Sequence, residues 1–157
     1  MKEYIQSTIK KLCRQERDWT CSVACLRTLM SVSEEFDSEE TLVTKGNLTM
    51  GPQSSMDLLE AGILPKDSKV PGNEERDAKF LWSLLRTHNV MIECSISYAH
   101  WLVIIAVWEN DNGDKYIQMY DPFYDYMRIE NWESVIEMWY DTSGLKIDQD
   151  FIALPKE

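Results

Sequence analysis

From Cys21 onward, apolar residues recur at three- and four-residue steps (Val23, Leu26, Leu29, Met30) and predict a helix with one buried face. Asp37 followed by Glu40 has capping-box spacing and predicts a short helix over "SEETLVTK". Pro52 suits the first position and Gly62 the end of a third helix in "GPQSSMDLLEAGIL". Phe80, Leu81, Leu84 and Leu85 mark a fourth in "RDAKFLWSLLRTH". Between these two, "PKDSKVPGNEE" reads as an exposed loop.

The period then changes. "NVMIECSIS" and "HWLVIIAVW" are rich in β-branched and aromatic residues, and the second is nearly unbroken, as expected of a central strand buried on both faces. Asn112-Gly113 is a hairpin turn signal that folds this run back onto "KYIQMYD". A turn at "PFYD", a strand "YMRIE", a short helix around "NWESVIEMW" and a last strand "FIAL" follow. Only "EYIQSTIKK" at the N-terminus has no clear assignment. Helices precede an antiparallel sheet, which predicts an α+β fold in one domain over residues 1–157.

Composition narrows the function. A formal charge of -11 over 157 residues disfavours nucleic acid, whose phosphates need a basic footprint. It mildly favours a cationic peptide or protein partner, against the plainer reading of a solvated acidic surface. No run approaches the roughly 18 apolar residues of a membrane span, and "MKEYIQSTIKKLC" has no apolar signal core. Four cysteines without close pairing fit reduced thiols in a cytoplasm. Cys21, Cys25 and a histidine could hold zinc, but the usual ligand knuckles are absent, so no metal or cofactor is expected.

Chemistry concentrates around "RQERDWTCSVACLRTLM". A helix N-terminus and a nearby imidazolium favour the thiolate form of a cysteine, and Cys21 has the first by position. Taken alone, Cys21 reads first as a small buried hydrophobe, as Cys25 does. Of the two histidines, His88 falls at a predicted helix end and reads as capping or exposed, whereas His100 opens the central strand. The Asn112-Gly113 hairpin sets the start of that strand beside the end of the next, where Pro122 holds Asp121 extended. Asp121 can therefore orient the His100 ring and leave one nitrogen for a thiol. Gln15, six residues before Cys21, offers a side-chain amide that with the Cys21 backbone N–H could bind an oxyanion.

Together, Gln15, Cys21 in "CSVACLRTLM", His100 in "HWLVIIAV" and Asp121-Pro122 resemble the C39-type cysteine peptidases of the papain-like superfamily. The likeness runs from about residue 11 to 154. It implies a papain-like fold, with N-terminal helices packed on a C-terminal antiparallel sheet. It also implies Cys21 as nucleophile, His100 as general base and acid, Asp121 as orienter and Gln15 in the oxyanion hole. Thr20 and Ser22 stand where the family usually has an acidic residue and a glycine. Cleavage after a double glycine is not carried over. The expected activity is hydrolysis of a peptide or protein amide. A deamidase or acyl-transferase with the same residues, or a silent peptide-binding module, are the alternatives.

Overall fold

A computed structural model describes residues 1–51, 53–140 and 148–157. Its strands are β1 (Glu3–Gln6), β2 (His88–Ser95), β3 (Ala99–Glu109), β4 (Lys115–Asp121), β5 (Tyr126–Asn131) and β6 (Phe151–Pro155). They form one antiparallel sheet in the order β5-β4-β3-β2-β6, and β1 pairs the far half of β3. The helices are α1 (Cys21–Met30), α2 (Glu39–Lys45), α3 (Ser55–Glu60), α4 (Ala78–Leu84) and α5 (Trp132–Trp139). The fold is the expected α+β.

Two hydrophobic clusters lie against the sheet. One gathers Leu81 and Trp82 of α4 and Val135 and Trp139 of α5 on Ile92, Leu102, Ile104 and Met119. The other gathers Cys25, Leu26 and Leu29 of α1 with Leu42 and Leu58 on Met91, Trp101, Val103 and Ile152. Each fully buried side chain of this size contributes roughly 1.5–3 kcal/mol of transfer free energy. The strand over 100–108 is central and buried, as its unbroken apolar run requires.

Several local expectations change. Helix α1 has no single buried face: Ser22, Ala24, Cys25 and Thr28 are buried with Val23, Leu26 and Leu29, whereas Met30 is only partly so. The reason is "EYIQSTIKK" and the residues after it. This segment forms β1 and then runs along α1, where Ser31 Oγ accepts from the Lys10 and Lys11 N–H groups and Thr28 Oγ1 from that of Cys13. Its polar partners thus sit on what the periodicity marked as the outer face.

The cap of α2 is Ser38, whose hydroxyl accepts from Thr41 N–H at 3.1 Å, and not Asp37. Asp37 instead offers its carbonyl to Arg27 Nε. The expected helix start at Pro52 lies outside the described residues. Helix α3 has a reciprocal capping box of Ser54 and Asp57, and Gly62 follows its end at φ +74, a conformation that favours glycine. His88 does not cap α4. That helix stops at Leu84, and His88 begins β2 opposite Pro155, because sheet pairing captures the chain first. Within the exposed 65–75 loop, Lys69 makes two backbone hydrogen bonds to Ala153.

Candidate active site

The β3–β4 hairpin turns at Gly113 (φ +86), and its register pairs Val103 with Tyr120. Asp121, one residue past that pair at the end of β4, thus comes beside the start of β3, where His100 stands. The result is a hydrogen bond of 2.8 Å between His100 Nε2 and Asp121 Oδ1, both almost wholly buried. Phe123 N–H also donates to Asp121 Oδ1 at 2.9 Å. Nε2 is thus engaged by Asp121, and Cys21 shares the cavity with His100, near enough to act on the protonation of the ring.

These contacts set the protonation. Burial pulls the His100 pKa down, but hydrogen bonds to Asp121 and Cys21 and their negative charge outweigh it and raise it to about 9. For Asp121, burial works upward, and the His100 hydrogen bond and charge with two backbone N–H groups hold the carboxyl below its ordinary value. The pair is therefore arranged to keep an imidazolium beside a carboxylate at neutral pH.

Cys21 is the first residue of α1. Thr20, its N-cap, does not cap with its side chain: that hydroxyl donates to Arg17 carbonyl at 2.9 Å and accepts from Arg17 N–H. The positive end of the helix dipole thus faces the thiol. Burial raises Cys13, raises Cys25 well above an ordinary thiol and pushes Cys94 to about 12. All four are unpaired.

Gln15 lies in the same cavity as Cys21 and His100. Its backbone N–H donates to Pro122 carbonyl at 3.1 Å, which ties the loop before α1 to the Asp121 turn. The side-chain Nε2 donates one N–H to Arg17 carbonyl at 2.8 Å, and a primary amide has a second. The loop is braced again by Glu39, fully buried, which accepts from Glu16 N–H and from Arg17 Nη1 at 2.9 Å. Gln15, Cys21, His100 and Asp121 are therefore brought together as the chain order suggested. His88 is elsewhere, half-buried against Thr87, with burial and the Lys69 and Lys156 charges lowering its pKa.

Sequence reading passed over other residues here. Trp19, Tyr98, Phe123 and Tyr124 wall the cavity, and the aromatic pair directly after Asp121-Pro122 was the available signal. Glu93 on β2 is nearly buried, and burial with the charges of Asp150 and Asp57 raises it to about 8. Among the described residues no group of three or more His, Cys, Asp or Glu could hold a metal ion, and no helix is long and apolar enough to cross a membrane.

A cysteine at a helix N-terminus thus shares a cavity with a buried histidine–aspartate pair, an arrangement chemically able to supply a nucleophile and a base. The fold around it occurs in a solved peptidase domain. The crystal structure of the peptidase domain of Streptococcus ComA, a bifunctional ABC transporter involved in a quorum sensing pathway, matches with a TM-score of 0.65. It is 15% identical, and the match covers 92% of this chain and 98% of that one. At that identity the likeness shows a shared fold. No protein-family model and no curated protein matches the sequence.

Proposed function

We propose that this protein is a cysteine peptidase that hydrolyses a peptide or protein amide bond. The observation that carries the reading is the buried 2.8 Å His100–Asp121 bond with Cys21, first residue of a helix, in the same cavity. Cys21 thiolate attacks the carbonyl carbon, and the oxyanion takes hydrogen bonds from Cys21 N–H and the Gln15 amide. His100 then gives its proton to the departing amine as the C–N bond breaks. Water, deprotonated by His100, attacks the thioester, and the acid product leaves as the thiol is restored. Asp121 keeps the ring oriented throughout.

The peptidase-domain fold of ComA supports this class of activity. Four unpaired thiols fit a reducing compartment, and the cytoplasm is the setting we assign. The acidic balance fits a cationic peptide partner. The test is cleavage of a defined peptide mixture, read by mass spectrometry, with Cys21→Ala as control. New termini made by the wild type and absent with Cys21→Ala support the reading. Equal product from both proteins, or slower iodoacetamide labelling of Cys21 than of Cys13, removes it.

A further inference from the structure

Three large rings stand half-exposed around Cys21: Tyr98 at 45%, Phe123 at 39% and Tyr124 at 59%. They come from the β2–β3 and β4–β5 turns and, with Trp19 from the loop before α1, wall a cavity of about 510 Å³. The rings brace one another. Tyr98 packs on the His100 ring with centroids 5.6 Å apart, and Phe123 meets Tyr124 edge to face at 4.8 Å. Held this way, they offer apolar area at small entropic cost to a ligand. Exposed apolar surface gathered in one concavity marks an interaction site, and the volume falls within the roughly 300–1,000 Å³ of sites that enclose a ligand.

The charge on the wall is equally specific. Asp18 lines the cavity, is exposed, and makes no ion pair among the described residues. A bare pair of glycines beside the reacting amide would leave the rings wet and Asp18 unmatched. We propose that the cavity takes an aromatic or large aliphatic side chain adjoining the amide presented to Cys21, with a cationic group of the same peptide facing Asp18. This inference rests on Cys21 being the nucleophile. It names the substrate: a peptide with a bulky apolar residue at the cut and a basic residue close by.

Chloroacetyl-phenylalanine amide and chloroacetyl-glycine amide test it without turnover. In each, the Cys21 thiolate displaces chloride as the C–S bond forms, and mass spectrometry counts the adduct. The phenylalanine probe should label Cys21 about 10-fold faster than the glycine probe. The double variant Phe123→Ala/Tyr124→Ala should bring that ratio to within about 2-fold. An arginine added to the phenylalanine probe should speed labelling by about 3-fold, and Asp18→Lys should reverse the gain. Asp18 is exposed, so this second variant tests the charge match even if the double variant does not fold.

Equal rates for the two probes, with iodoacetamide still favouring Cys21 over the other cysteines, would overturn the inference and leave the nucleophile reading intact. If iodoacetamide does not favour Cys21, both fall together.

Discussion

The two faces of the sheet are packed with different chemistry. Against α4 and α5 the contacts are apolar and aromatic, with Trp82 set edge-on to Trp132 at 5.1 Å and Trp139 fully buried. Against α1 the buried set includes Ser22, Thr28, Glu39 and Gln53, and each is hydrogen-bonded. Ser22 Oγ donates to Gln53 Oε1, and Gln53 carbonyl accepts from Trp101 Nε1 at 2.8 Å. An apolar face holds the fold together and tolerates small shifts in shape. A satisfied polar face costs more to build but admits few arrangements, and so it locates the loop carrying Gln15 and the start of α1 at Cys21.

Substitutions can pull this division apart. The largest effect on activity should come from Cys21→Ala or His100→Ala, each lowering peptide hydrolysis by about 10³-fold or more. His100→Ala should also cost stability, because buried Asp121 loses its partner, whereas Cys21→Ala should nearly keep the melting temperature. Trp139→Ala should do the opposite. It removes a buried indole and its hydrogen bond to Asp150 carbonyl, so calorimetry should read a loss of about 3–5 kcal/mol, while kcat of the folded fraction stays. Gln15→Ala should lower kcat by about 10²-fold, with little change in stability. A loss of stability equal to that of Trp139→Ala would mean that the loop is structural.

Titration sharpens the contrast further. His100 has a raised pKa, so its contribution to stability is complete below about 6.5 and lost as pH rises through about 9. The alkaline limb of kcat/KM should fall near that value, and Asp121→Asn should move it about one unit lower. Asp121, depressed, contributes above its ordinary range near 4 and loses that contribution as pH falls. Glu93 behaves in the other sense for a carboxyl. Folding holds its proton up to about pH 8, so the folded state is penalised increasingly between about 4.5 and 8. Glu93→Gln should therefore raise the melting temperature by about 4 °C or more at pH 8 and hardly at all at pH 4.5.

Legibility differed between these features for a physical reason. The start of α1 at Cys21, the hairpin at Asn112-Gly113 and the meeting of His100 with Asp121 all follow from local rules plus one antiparallel pairing. The Ser38 cap was missed because Asp37 and Ser38 are both good caps, and the choice depends on where the chain turns. His88 looked helical because the apolar spacing of α4 runs on to Leu85, and only pairing with β6 ended it. The burial of Thr28 and Ser22 in α1 carried no signal along the chain. Their partners, Cys13 and Gln53, are 15 and 31 residues away.

The sequence by itself determined the α+β order, the central strand, and the four side chains that could act together, because propensity and period are local properties. Tertiary structure alone decided that Glu39 braces the Gln15 loop, that Glu93 is buried among acids, and that four rings from three separate segments close one cavity. Those are contacts between distant residues, and their free energy depends on burial and distance that no run of neighbours encodes.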